Sequence, residues 1–483
     1  MDPRHARELL GGVAPVLERI ETVADELQAS WRAAVNPAEA VVAGLLLPGG
    51  SLVMAGGAIA IAQAAAGQLR AAAASAMELM LLVHGAAEEQ ERVSSATDGS
   101  YLPMHLIARD ATQRVREALE DPRRLESMTA AHRAALLGAM TRGQIEALAQ
   151  RASETIGDLE GAPYWARDVA NRIVLDRVLA DPASGAEQLR AAVRVRQAVE
   201  DLERRADEAV QLAVLRLPSG GGERDMRAAL ATGDLDAAAN LGVVVPGMNS
   251  TVAGSIESMG HAALNLRTAE DALGGPNAVL AWIGYETPDA FSVASDDLAR
   301  RGGDALRATL EGMAARRPEA SLTVFAHSYG TRVATAALSS GASADGLFLF
   351  GSPGLIEGLT SVEQLAVPPG SVTATQAGDD RVAPLGLVLS QPGADHVVAA
   401  AGWSIGPIPG IAGTIYAGAV DPGGVNLDPA AIGARMLSAD GDGDGGRVGG
   451  HDMANQEDGY MDLGSDSLQD MAKVGTGHGG DAR

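Results

Sequence analysis

Apolar residues recur at i, i+3 and i+4 through the first part of the chain, which predicts helices. A first helix is expected from about Arg4 to Val35, and a long Ala-rich one from about Val53 to Glu91. Ser94-Ser95-Ala96-Thr97-Asp98-Gly99-Ser100 reads as a linker. Residues 101 to about 216 carry the same period, as in Ala192, Val195, Val199, Leu202 and Ala206 set among Arg and Glu. Ser219-Gly220-Gly221-Gly222 then breaks the pattern. Beyond it, short apolar runs alternate with helical stretches. Strands are predicted at Leu241 to Val245, Ala278 to Ile283, Leu322 to Ala326, Leu347 to Phe350 and Val372 to Gln376. Such alternation implies a mostly parallel sheet covered by helices on both faces, an α/β fold behind an all-helical N-terminal region. The domains expected are 1–98, a helical region with a possible hairpin; 99–222, a helical region with a possible role as a cap; and 223–483, the α/β catalytic domain. A parallel sheet presents its active site at the carboxyl ends of its strands.

The residues just after each strand carry the chemistry. Leu322 to Val333 reads strand, tight turn, helix, with Ala326-His327-Ser328-Tyr329-Gly330 at the turn. It matches the G-x-S-x-G nucleophile elbow with Ala in the first position. Small residues are needed there because helix and strand cross closely, and Ser328 is the candidate nucleophile. The Tyr329 N–H should face the oxyanion. Val245-Pro246-Gly247-Met248 ends an earlier strand, and the Met248 N–H is the second candidate donor. An ordinary tight strand-to-helix turn is the bland reading of that loop. After the fifth predicted strand come two carboxylates, Asp379 and Asp380. Neighbours in an extended segment point to opposite sides, so only one of them faces a histidine. Asp380 is preferred, because Asp380-Arg381-Val382-Ala383-Pro384 matches a D-x-V-x-P run.

The base should follow the acid in the chain. His396 lies too close behind Asp380 for a return connection, and His478 sits in a Gly-rich tail. His451, after a possible last strand near Ile432 to Leu437, fits that order. The expected chemistry is acyl transfer through Ser328, Asp380 and His451 to water, without a cofactor or metal. Asp440-Gly441-Asp442-Gly443-Asp444-Gly445 opens like a calcium loop. Its twelfth position is His451 where a bidentate Glu belongs, so an acidic loop beside the base is preferred. Tyr285, Tyr329, Met248 and Trp403 are candidates for an apolar pocket, or equally for core.

Composition narrows the partners. A net charge of −25 repels a phosphate backbone, so nucleic acid is not expected as a partner. The chain has no cysteine, which removes disulfides, thiolate metal sites and cysteine nucleophiles. Residues 1–28 mix charges with apolar residues, unlike a secretory signal peptide. The cytoplasm, or export without a Sec signal, is the expected location. Ala40 to Leu69 is free of charge, but Pro48-Gly49-Gly50 interrupts it. Two packed helices are therefore expected there in preference to membrane contact.

Several separated motifs resemble an actinobacterial family of α/β hydrolases catalogued as domain of unknown function number 1023. They are Asp158-Leu159-Glu160-Gly161-Ala162-Pro163 with Arg167-Asp168-Val169-Ala170-Asn171-Arg172; Val244 to Thr251; Trp282-Ile283-Gly284-Tyr285; His327 to Gly330; Gly351-Ser352-Pro353-Gly354; and Gly450-His451-Asp452 with Tyr460, Gly464, Ser465, Ser467 and Leu468. The resemblance runs from about Ile156 to the C-terminus. It implies an α/β-hydrolase fold with Ser328 as nucleophile, Asp380 as acid and His451 as base. It also suggests that the helices from about Ile156 belong to the hydrolase module. The first 98 residues resemble small type VII secretion substrates loosely, with Trp31-Arg32-Ala33 in place of W-x-G. The leading expectation is a serine hydrolase of esters or lipids. The competing one is a helical interaction or secretion protein on a vestigial hydrolase scaffold.

Overall fold

A computed structural model of the chain describes residues 114–115, 117–218, 222, 225–289, 296–383, 427–441 and 445–482. The helices expected over 4–35 and 53–91, the apolar run 40–69, Trp31, His396, Trp403 and the 442–444 stretch of the acidic loop lie outside the described residues. The chain divides into two compact units, residues 1–125 with 135–147, and residues 126–134 with 148–483. The described part of the first is helical and holds an exposed Arg124–Glu117 ion pair at 2.6 Å. The second unit holds the sheet and the candidate site.

The eight strands are β1 (Gln211–Arg216), β2 (Arg227–Thr232), β3 (Asn240–Val245), β4 (Asn277–Ile283), β5 (Ser321–His327), β6 (Gly346–Phe350), β7 (Val372–Thr375) and β8 (Arg435–Leu437). The longer helices are α1 (Tyr164–Ala180), α2 (Ala186–Ala206), α3 (Val252–Leu273), α4 (Asp296–Arg316), α5 (Gly330–Ser339) and α6 (Asp466–Gly475). The sheet order is β1-β2-β4-β3-β5-β6-β7-β8. Strands β1 and β2 are antiparallel to their neighbours, and the other pairs are parallel.

Side chains alternate across the sheet and feed two cores. Leu241, Val243, Leu280, Trp282, Val324 and Leu349 pack on one face with Leu306, Leu310 and Met313 of α4 and Val333 of α5. Val244, Val279, Phe325, Phe348 and Phe350 pack on the other with Val195 and Leu202 of α2, Ile256 and Leu266 of α3 and Leu468 of α6. Burial on both faces is why these strands read as unbroken apolar runs.

Two expectations need correction. The helical pattern read through 216 stops earlier, because Asp207 turns left-handed (φ 53°) and ends α2. Residues 211–216 then pair as β1, so the sheet begins ahead of the Ser219–Gly222 break. The clamp on β1 comes from α1. Asp168 accepts from the Leu212 N–H at 2.8 Å, Asn171 donates to the Leu212 carbonyl at 2.8 Å, and Arg172 donates to the Val210 carbonyl at 2.7 Å. These contacts use up backbone groups that an edge strand would otherwise expose. Arg167, fully buried beneath them, pairs with Glu160 at 2.7 Å. The last strand is also shorter than Ile432 to Leu437. Asp428 caps a 3₁₀ turn at Pro429–Ile432, and Gly433 reverses the chain at φ 94°, leaving three residues for β8.

The parallel register levels the strand ends. Val245 pairs with Ala326, His327 with Phe350, Phe350 with Thr375, and Thr375 with Leu437. The residues following β3, β5, β6, β7 and β8 are thereby delivered to one edge. Among the described residues, no helix is long and apolar enough to cross a membrane.

Candidate active site

The turn from β5 into α5 carries Ser328 at φ 52°, a left-handed conformation that a non-glycine residue adopts at a cost. Its N–H donates to the Phe350 carbonyl at 3.0 Å, and its carbonyl accepts from the Thr331 hydroxyl at 2.7 Å. These bonds hold the turn through the backbone and leave the Ser328 hydroxyl for His451. Glycine at 330 is dictated by β3. A Cβ there would stand 2.7 Å from the carbonyl oxygens of both Val245 and Pro246. Gly247 meets the serine from the other side, where a Cβ would lie 2.7 Å from Ser328 Cβ and 3.1 Å from Oγ.

The structure brings Ser328, His451 and Asp380 together. His451 Nδ1 lies 2.8 Å from Asp380 Oδ2, and His451 Nε2 lies 2.9 Å from Ser328 Oγ. A carboxylate only accepts, so Nδ1 carries the proton and Nε2 accepts from the serine hydroxyl. Asp380 Oδ1 accepts from the Val382 and Ala383 N–H groups at 3.0 and 3.1 Å. Burial pushes the Asp380 carboxyl up, but His451, the Ala383 N–H and Tyr460 outweigh it and hold the group below its ordinary value. Asp379 points away. It pairs with Arg447 at 2.6 Å where both side chains are half exposed.

Two supports escape a reading of the sequence. Tyr460 donates to Asp380 Oδ2 at 3.0 Å and accepts from the Ala377 N–H at 2.8 Å. Nothing in a sequence ties it to Asp380, 80 residues earlier. His327 Nε2 donates to the His451 carbonyl at 2.8 Å, with the two rings 4.9 Å apart. Burial and the neighbouring His451 lower its pKa to about 3, so it stays neutral. Gly351, at φ 57°, floors the site; a Cβ would stand 3.2 Å from Asp380 Oδ2 and 3.3 Å from His451 Nδ1.

The loop carrying Met248 is fixed at two points. Tyr285 donates to the Pro246 carbonyl at 2.7 Å, and Asn249 N–H donates to the Pro288 carbonyl at 2.9 Å. Met248 lies between them, one residue beyond the glycine that touches Ser328. Tyr329 opens α5 directly after Ser328. Tyr285 and Tyr329 are buried in the core, 3% and 0% exposed.

Asp201, Glu257 and His261 each place one donor atom within 4.8 Å of the others. Asp201, however, already binds His261, Arg204 and Arg205 at 2.7, 2.9 and 2.6 Å. Two guanidinium groups on one carboxylate oppose a cation there. In the acidic loop, Asp440 accepts from the Gly378 N–H at 3.0 Å and stands 3.9 Å from Arg447.

A family model described as alpha/beta hydrolase matches residues 221–389. An uncharacterized protein of Mycobacterium tuberculosis is 31% identical over 364 residues, covering 68% of this chain and 52% of that protein. The chain thus spans about half the length of that relative. An uncharacterized protein of Mycobacterium bovis is 34% identical over 182 residues, covering 35% of this chain and 68% of that protein. A solved structure titled as an a/b serine hydrolase without lid, from Xanthomonas campestris, is 19% identical. It covers 34% of this chain and 72% of its own, with a TM-score of 0.24.

Proposed function

The chain belongs to the α/β-hydrolase family, and from that premise we propose that it is a serine hydrolase working through an acyl-enzyme, with carboxylic esters or lipids as substrates. On the motifs quoted above, we assign it to the actinobacterial branch catalogued as domain of unknown function 1023. The observation that carries the hydrolase reading is the unbroken chain from Ser328 Oγ through His451 to Asp380, at 2.9 and 2.8 Å, on a strained serine.

In this mechanism His451 Nε2 takes the hydroxyl proton as Ser328 Oγ attacks the acyl carbonyl. Asp380 holds the imidazole tautomer and stabilises the imidazolium. The Met248 and Tyr329 N–H groups stabilise the oxyanion. The carbonyl re-forms, the carbon–oxygen bond to the alcohol breaks, and His451 returns the proton to the leaving alkoxide. Water then attacks the acyl-enzyme with His451 again as base, releasing the acid and restoring Ser328.

Turnover of a p-nitrophenyl ester series of increasing acyl length tests the reading. Hydrolysis of at least one member is expected, with kcat falling about 10⁴-fold or more in Ser328→Ala. An equal rate in the variant would remove Ser328 from the chemistry.

A further inference from the structure

We infer that Asp462 is a positioning residue for the proton-transfer pair, acting through the loop that joins His451 to Tyr460. The inference rests on the hydrolase reading. Residues 451–462 form neither helix nor strand, so their N–H groups need other acceptors. Four of them converge on one carboxylate. Asp462 accepts from Asn455, Glu457 and Gly459 on Oδ2 at 3.0, 3.1 and 2.8 Å, and from Gln456 on Oδ1 at 3.0 Å. Asp462 is only 4% exposed, and among the described residues no guanidinium or ammonium pairs with it. Its charge is met by backbone donors alone, and charge-assisted bonds of this kind are the strong ones.

The loop is a closed ring around that anion. Tyr460 N–H donates to the Asp452 carbonyl at 3.0 Å, and Met461 N–H to the Met453 carbonyl at 2.7 Å. Gln456 is held at φ 68°, a left-handed conformation that costs free energy and persists where surrounding bonds enforce it. A Cβ on Gly459 would stand 3.0 Å from Asp462 Oδ2 and equally close to the Ala454 Cα and the Asp452 carbonyl oxygen, so the carboxylate and the backbone pack the ring closely. The ring's two ends carry the two side chains that meet Asp380 Oδ2: His451 where the chain enters, Tyr460 where it leaves. The Asp462 carboxylate thus sets the spacing between those two partners of the acid.

The test compares Asp462→Asn with Asp458→Asn, which neutralises an exposed carboxylate of the same loop. Two readouts are used on the full chain: the rate of labelling by a fluorophosphonate, and the downfield proton resonance of the His451–Asp380 bond. Asp462→Asn puts an amide NH2 against backbone N–H donors. It is expected to slow labelling about tenfold or more and to weaken or shift the resonance. Asp458→Asn should leave both as in wild type. In a Tyr460→Phe background the same change should slow labelling less than it does alone, because both substitutions act on the same acid. Gly459→Ala, which keeps the carboxylate but crowds it together with the Asp452 and Ala454 backbone of the same ring, is the milder form and should slow labelling several-fold, even where Asp462→Asn does not fold. Wild-type labelling and an unmoved resonance in Asp462→Asn, or in Gly459→Ala, would overturn the inference while leaving the hydrolase reading intact. A wild type that shows the resonance, loses it in Asp462→Asn, but takes no probe would defeat the hydrolase reading and leave the positioning claim standing.

Discussion

Tyr460 Oη and His451 Nδ1 meet the same oxygen of Asp380, at 3.0 and 2.8 Å. In the proposed mechanism that oxygen shares its negative charge between a phenol that stays neutral and an imidazole that cycles through a charged form. Tyr460→Phe removes one donor from the acid and strands the buried Ala377 N–H. The expected cost is about 1–3 kcal/mol in urea unfolding, with kcat reduced roughly tenfold. Unchanged values of both would mean that the bond is idle.

The two adjacent aspartates should separate cleanly. Asp380→Asn removes the acceptor that fixes the His451 tautomer, and a loss of roughly 10⁴ in kcat is expected. Asp379→Asn breaks only a solvent-exposed pair with Arg447, a type of contact worth about 0–1 kcal/mol. Its ester turnover should match wild type. A reversed ranking would move the acid to Asp379.

Acid should weaken the fold through His327. Its folded pKa is depressed to about 3 from an ordinary value of 6.5, so below 6.5 the unfolded chain binds the extra proton. The sign follows: this contribution is whole above pH 6.5 and is lost progressively as pH falls toward 3. The slope is up to about 1.4 kcal/mol per pH unit. Unfolding free energies from pH 7 to 5 should fall less steeply in His327→Gln, whose amide nitrogen takes the place of Nε2 and can still donate to the His451 carbonyl. Parallel slopes in the two proteins would exclude His327 as the source.

Close approach at the elbow gives a steric prediction. Gly247→Ala places a methyl 2.7 Å from Ser328 Cβ and 3.1 Å from Oγ. Because even about 1 Å of misplacement can cost 10²-fold, kcat should fall by about that factor, with a smaller change in stability. A fully active variant would show that the loop yields freely.

What a sequence could tell about this molecule follows the physics of each element. Strands β3 to β7 are buried on both faces, so they stand out as apolar runs, and the chain order of Ser328, Asp380 and His451 follows from the sheet they surround. The Ala-rich β2 and the Leu-rich β1 carry no such signature. Ala has little preference for strands, and Leu212 and Leu215 continue the helical spacing of α2. Only the clamp from Asp168, Asn171 and Arg172 shows why that segment is extended. His327 and Tyr460 are visible in the sequence as residues but not as supports, because their partners, His451 and Asp380, lie 124 and 80 residues away in the chain and are brought to them only by tertiary contacts.

Fluorophosphonate labelling of the purified protein, with the adduct located by mass spectrometry, tests the central claim without any assumption about substrate. The account predicts one adduct, on Ser328, absent from Ser328→Ala and strongly reduced in His451→Ala. A well-folded wild type that takes no probe, or an adduct on another residue, would contradict it.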